Sequence, residues 1–420
     1  MKTFMKRMMA LSIITLLIFG FWNANAQNNG TYFTVSGTIK DSKTKQKVVF
    51  ASVTVPGTNI GTVSNSDGDF VLKIQKSLSA AEFEISHLGF LNKKFKIAEC
   101  TNGDQTFFVD PYSVELPELV VKPEDPRSIV LGAIANIEEN YSLNPNLLVG
   151  FYREAIKQRR DYVSISEAII DIYKSPYSYN FDSDRVRIFK GRKGGNVKKV
   201  DTLVVKLVGG PNISLMLDIV KNPDVLLSKE NVDYYTYELL NLVNIDGKIN
   251  YEIGFTPVVN LEYPLYYGKL YISKDNLAIT MAQFNLDLKD ADKAAQYFVK
   301  KKPLGLRFVP TSTSYLVSYK EQDGKYYLNY VRNEVKFSCN WKRRIFKTTY
   351  TVMSEMAVTE RKTENVEKIA LKESFKQYVV LADKVQEYFD ENYWGEYNTI
   401  VPDESIQNAI NKFNKRYKKQ

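Results

Sequence analysis

The sequence predicts a mainly β protein: an N-terminal β-sandwich, then a larger α+β domain with an antiparallel meandering sheet and a C-terminal helix. Between Phe33 and Val109, short apolar runs alternate with Gly- and Asp-containing turns, and no helical stretch intervenes. Beyond Pro145, alternating runs are joined by hairpin signals such as Asp323-Gly324. The chain closes on a capped amphipathic segment, Asp403 to Lys415, that aligns Ile406, Ile410 and Phe413.

With 420 residues, 44% of them hydrophobic, the chain is long enough for two or three domains with real cores. Residues 1–26 read as a secretory signal peptide. Lys2, Lys6 and Arg7 form its basic start, Leu11 to Phe21 its apolar core, and Ala24 to Ala26 a small-residue cleavage site. No Cys follows the apolar core, so a lipid-attachment signal is not expected. No other run approaches the roughly 18 apolar residues of a spanning helix. The expected product is exported, either soluble or attached peripherally to a membrane.

The formal charge of +9 falls to +6 once the three signal cations are removed. That modest, dispersed excess does not point to nucleic acid. The densest runs, Lys300 to Lys302 and Lys342 to Arg344, read as charged strand ends or turns. Two cysteines, Cys100 and Cys339, leave two readings: a bond closing a very long loop, or two separate buried thiols.

In the first part, Phe33, Val35 and Ile39 open a strand, and Lys40 to Lys45 form a polar turn. Val48, Phe50, Ser52 and Val53 start the next strand. Pro56-Gly57 and Asp67-Gly68 mark reversals, and Phe70, Leu72 and Ile74, then Phe83 and Ile85, keep a period of two. The stretches Val35 to Asp41, Ala51 to Val63, Ser66 to Phe70 and Ser86 to Phe90 resemble the carboxypeptidase regulatory-like domain. That domain is a transthyretin-like sandwich common in Bacteroidetes and often placed ahead of outer-membrane receptors. The resemblance covers residues 33–110 and implies a non-catalytic accessory domain; His87 departs from it, standing where that family usually carries an aromatic or other bulky residue.

Asn65, Asp67 and Asp69 alternate like calcium ligands. Gly68 comes two positions too early for an EF-type loop, however, so a solvated hairpin turn is expected. The chain has one His, which removes zinc-peptidase signatures and leaves His87 as the sole imidazole for any triad.

Residues 111–126, with Pro111, Pro117, Pro123 and Pro126, read as a linker containing one strand, Glu115 to Val121. Asp125 is placed to cap a helix beginning at Pro126, with Val130, Ala133, Ile134, Ile137 and Tyr141 on its packing face. The α+β domain of unknown function then spans 127–420. Its hairpins include Ile249 to Phe255, Leu270 with Ile272 across Lys274 to Asn276, and Tyr315 to Tyr319 across Asp323-Gly324. Asp218 to Leu227 and Asp290 to Phe298 read as short helices or loops. Irregular strand spacing, Pro211, Pro264 and Pro303, and a helical C-terminus argue against a membrane β-barrel.

The tail, with Tyr393 to Asn398, together with Gly150 to Glu154, Tyr162 to Glu167 and Ile172 to Tyr177, resembles the large domain that follows this sandwich in other exported Bacteroidetes proteins. That resemblance supplies no activity. Arg153, Glu154 and Glu167 are expected to share a strand pair as a structural ion pair. Gly191 to Gly195 lacks the context of a phosphate loop and reads as a flexible turn. Asp201 to Leu203 matches a short O-glycosylation pattern.

The sequence thus names no catalytic residue, no cofactor or cofactor-binding residue and no metal ligand. It points to a non-enzymatic exported protein at the periplasm or the periplasmic face of the outer membrane. The sandwich would act as a docking module, with an envelope protein, an outer-membrane protein among the candidates, as partner and no nucleic acid. The alternatives are a periplasmic carrier of a lipid or other apolar ligand in a curved half-barrel sheet and, behind it, a carboxylate-dependent glycan hydrolase.

Overall fold

A computed structural model describes residues 31–100, 103–112, 125–178, 183–195, 210–298, 305–342, 347–376, 379, 381–385 and 394–417. The signal segment, the expected linker strand Glu115 to Val121, the Asp201 to Leu203 pattern, Lys300 to Lys302 and most of Lys342 to Arg344 lie outside the described residues.

Alternation in the first part builds a two-sheet sandwich. One sheet orders β4 (Asp69–Gln75), β1 (Tyr32–Asp41) and β7 (Gln105–Val109). The other orders β3 (Gly61–Val63), β2 (Ser52–Thr54), β5 (Glu82–Ser86) and β6 (Lys93–Lys96). Their inner faces enclose Val35, Ile39, Val53, Leu72 and Ile85, and the Phe70, Phe83 and Phe95 rings crowd within 5.0–5.4 Å of Phe107. Gly37 is required here, because a Cβ would sit 2.1 Å from the Gln105 carbonyl oxygen of the parallel neighbour β7.

Asp125 caps α1 (Pro126–Ala135) as expected, its carboxylate accepting from the Arg127 and Ser128 amides; a short α2 (Ile137–Asn140) follows. Next come β8 (Asn146–Gln158), β9 (Asp161–Lys174) and β10 (Arg185–Gly195), then α3 (Pro211–Met216). A seven-strand meander follows: β11 (Tyr235–Ile245), β12 (Lys248–Pro257), β13 (Tyr266–Ser273), β14 (Ile279–Leu286), β15 (Leu306–Gln322), β16 (Lys325–Trp341) and β17 (Thr348–Lys362). Among the described residues the two meanders fuse, through antiparallel pairing of β17 with β8, into one ten-stranded sheet ordered β10-β9-β8-β17-β16-β15-β14-β13-β12-β11. The Asp323-Gly324 hairpin has both residues at positive φ, 53° and 75°, the turn geometry that suits twisted strands.

The two faces of this sheet are covered differently. The inner face gathers apolar side chains from strands across the sheet into one core beneath α1, α3 and the segment after α3. The outer face carries the sandwich, a C-terminal strap (394–403) and α6 (Glu404–Tyr417), whose Ile406, Ile410 and Phe413 pack on Ala155, Ile165 and Met353. Asp290 to Phe298 does contain a helix, α4 (Ala291–Phe298), and a single turn, α5 (Leu381–Lys384), lies between it and α6 in the chain. In the Asp218 to Leu227 stretch only Pro223–Val225 is helical, as a single tight turn.

One expectation is overturned, and one pair of open alternatives is decided. Gly191 to Gly195 is no flexible turn but the second half of edge strand β10, paired residue by residue with β9. Cys100 and Cys339 are buried in separate cores and do not form a disulfide, one lying inside the sandwich and the other beside Phe337 and Tyr350.

Candidate functional site

The antiparallel register of five adjacent strands sets alternating charges in a row across the outer face: Arg192, Glu167, Arg153, Glu355 and Arg332. Each is the direct cross-strand neighbour of the next. The Arg153 guanidinium is 1% exposed and uses three of its nitrogens. Nε donates to Glu167 Oε1 at 2.7 Å, Nη1 to Glu355 Oε1 at 2.8 Å, and Nη2 to the Ile400 carbonyl of the strap at 2.7 Å. Arg192 holds the other oxygen of Glu167, while Arg332 and the Tyr330 hydroxyl both lie 3.1 Å from Glu355 Oε2.

Burial alone would raise the Glu167 carboxyl. The Arg153 and Arg192 guanidiniums outweigh it and hold the group below the usual carboxylate range. Burial first, then the Glu355 charge, pushes the Tyr330 phenol well above its ordinary value. A carboxylate fixed in its ionised form by two cations has no proton to give at neutral pH. The row is therefore built to hold structure, and what it holds is the strap.

Strap and sandwich meet over this row. Asn398 pairs with Lys73 of β4 in both directions, accepting from its amide at 2.7 Å and donating to its carbonyl at 2.9 Å. The Thr62 hydroxyl donates to the Thr399 carbonyl at 3.0 Å, Phe50 stacks on Tyr330, and the Arg332 guanidinium lies over Phe50. The turn at Asn65, Asp67 and Asp69 belongs to this joint. Asn65 Oδ1 accepts the amides of Asp67 and Asp69, and Asp67 Oδ2 accepts the Glu404 amide at 2.8 Å. The sandwich thereby helps Asp403 cap α6; Asp403 Oδ1 accepts the Ile406 amide at 2.7 Å.

His87 stands at the rim of the sandwich, its Nδ1 2.9 Å from the Leu88 carbonyl and its ring edge-on to Phe90. Burial pushes the imidazole below its ordinary value, against the pull of the Leu88 and Val49 carbonyls. It lines a cavity of about 300 Å³ between the sandwich and β14–β16.

On the inner face, Asp218 is fully buried in the segment after α3. It takes Tyr319 Oη at 2.8 Å, Tyr177 Oη at 3.0 Å and Lys174 Nζ at 2.8 Å. Lys174 also bonds Asp184. Burial alone would lower the Lys174 ammonium, but the two aspartates outweigh it and raise it. Leu217, Ile219, Val220, Leu226 and Leu227, flanking this anchor, fill the inner core. Glu154 is buried on this same inner face, 3.3 Å from the Tyr152 hydroxyl, in a cross-strand row with Ser166, Ser354 and Asn333.

Of the three residues expected to share a strand pair, the structure joins Arg153 and Glu167 and sends Glu154 to the opposite face, as strand alternation requires. Glu355 and Asp218 carried no sequence signal, because Arg153 and Lys174 reach them from strands distant in the chain; Arg332 and Lys174 were not singled out from the sequence.

Several known proteins resemble parts of this chain. A DUF1329 family protein from Desulfovibrio piger has 13% identity, covering 58% of this chain and 96% of its own, with a TM-score of 0.24. A putative outer membrane lipoprotein-sorting protein domain from Vibrio parahaemolyticus has 9% identity over 58% and 94%, with a TM-score of 0.26. A LolA superfamily protein from Nitrosomonas europaea has 14% identity over 61% and 100%, with a TM-score of 0.21. Scores this low do not establish a common fold. No curated protein matches the chain. Residues 35–121 match the CarboxypepD_reg-like domain family, so the N-terminal part is similar to that family and the match runs into the stretch expected to be the linker.

Proposed function

We propose that this chain is a non-enzymatic, exported binding protein of the cell envelope that carries a lipid or other apolar ligand on the inner face of its large sheet. The observation that carries this reading is the unequal covering of the two faces. The outer face is fixed by a row of buried ion pairs, a strap, a capped helix and the sandwich. The inner face is a broad apolar surface covered, among the described residues, by α1, α3 and a segment with little regular structure held at Asp218. A short covering segment with few backbone ladder bonds opens at lower cost than a strand of the sheet, and an acyl chain can take the place of its leucines.

In this reading the sandwich serves as a brace and docking module, residues 33–110 and 127–420 are its two parts, and 111–126 joins them. The protein works in the periplasm or at the periplasmic face of the outer membrane, with an envelope protein as partner. Titration of the purified, delipidated protein with a fluorescent fatty acid tests the carrier reading. Saturable binding with a blue-shifted emission is expected; emission indistinguishable from the probe in buffer would refute it.

A further inference from the structure

A second cavity, of about 270 Å³, lies between the loop joining β2 to β3 and the ends of β15–β17. Arg361 lines it. This side chain is 6% exposed, so its charge is withdrawn from water. Its Nε and Nη2 donate to one neutral acceptor, Asn59 Oδ1, at 3.3 and 2.9 Å, and its guanidinium lies 3.3 Å from the centre of the Tyr327 ring. The nearest carboxylate is Asp323 at 4.0 Å, on a side chain 84% exposed. Nη1 is buried without a hydrogen-bond partner among the described residues.

Burying a guanidinium without a close counter-charge is costly, and an aromatic face offsets only part of that cost. A second cation lines the same cavity: Lys320, whose Nζ is 3.0 Å from Thr54 Oγ1 and 3.8 Å from Asp246. The two carboxylates in the wall are engaged elsewhere, Glu321 with Lys248 and Glu84 with the Asn92 amide. The loop opposite turns through Gly57 at φ +71°, where nothing lies within 4 Å of an added Cβ.

We infer that this cleft is an oxyanion site in which Arg361 and Lys320 bind the phosphate or carboxylate group of a ligand. The volume is below the roughly 300–1,000 Å³ typical of drug-sized ligands, so it suits a small acid or a headgroup rather than an entire lipid. Asn59 holds the guanidinium in place, and Thr54 and Thr58 add hydroxyls to the lining.

Calorimetric titration of the full chain with inorganic phosphate, with glycerol 3-phosphate and with succinate separates a free phosphate, a lipid headgroup and a carboxylate source. At least one should bind with a Kd of about 1 mM or tighter. Arg361→Met should weaken that binding roughly tenfold or more, as loss of a charged hydrogen bond does. Lys320→Met, at a partly exposed position, should weaken it severalfold and serves if the Arg361 variant does not fold. No heat from any of the three at about ten times that concentration, or unchanged affinity in either folded variant, overturns the assignment.

Discussion

Arg153 Nε and Glu167 Oε1 face each other across β8 and β9 at 2.7 Å, with both side chains 1% exposed. Together with Glu355 on the other side of Arg153, this pair places three ionised groups in a space that water does not reach. Their mutual attraction and the hydrogen bond to the Ile400 carbonyl offset a large desolvation cost. The gain is geometric: one guanidinium fixes three strands and the strap in register. That leaves the apolar inner face as the side of the sheet free to change.

Removing one member of such a set costs more than the set itself contributes. Arg153→Met should destabilise the protein by about 3–5 kcal/mol, because Glu167 and Glu355 stay buried with fewer partners. Replacing Arg153, Glu167 and Glu355 together by apolar residues should cost less than the single change. Urea melts of the two variants check this, and a single variant as stable as the wild type would contradict it.

The Glu167 carboxyl is held low in the folded protein, so its stabilising contribution is fully present above the unfolded value of about 4.3. As pH falls below that value, the unfolded chain takes up the proton first and stability declines until Glu167 itself protonates. Glu167→Gln should be less stable than wild type at neutral pH and should show a shallower loss on acidification. Melting curves collected from about pH 5 downward read the difference. Parallel curves for the two proteins would remove Glu167 from the account.

The contact of Asp67 with the Glu404 amide ties the sandwich to the start of α6. Asp67→Ala should cost about 1 kcal/mol, the ordinary worth of a helix cap, and speed amide exchange in Glu404 to Gln407 while the sandwich core stays protected. Unchanged exchange at the start of the helix would show that Asp403 alone suffices.

Much of this arrangement was legible from local chemistry. Asp125 and Pro126 announced a helix start, Asp323-Gly324 a hairpin, and the spacing of Ile406, Ile410 and Phe413 a buried helix face. The second half of β10 was hidden because glycines lower strand propensity and break alternation. The structure shows why they are there: a Cβ on Gly191 would meet Val385 at 2.2 Å, and one on Gly194 would meet Phe413 at 2.9 Å. The ion-pair row could be read only as far as Arg153 and Glu167, fourteen positions apart. Glu355 enters through pairing of strands about two hundred residues apart, a register that no local pattern encodes. For the same reason the Asn65 to Asp69 turn read as a solvated hairpin, although it meets the C-terminal helix.

Asp218 anchors the cover of the inner face, so weakening it should loosen that cover and leave the sheet intact. Asp218→Asn keeps the shape but removes the charge facing Lys174, which retains Asp184. Hydrogen exchange should quicken across 211–227 while β8, β9 and β17 remain protected. Equal acceleration in sheet and cover would mean that Asp218 supports the whole fold rather than its cover.

In the proposed function the inner face holds an apolar ligand beneath this cover. Native mass spectrometry of the intact protein, purified gently from cell envelopes, tests it most directly. A discrete mass increment is expected, lost on organic extraction and matching a lipid or another apolar molecule. Wild-type protein that emerges at its bare polypeptide mass, and stays so after incubation with envelope lipids, would contradict it.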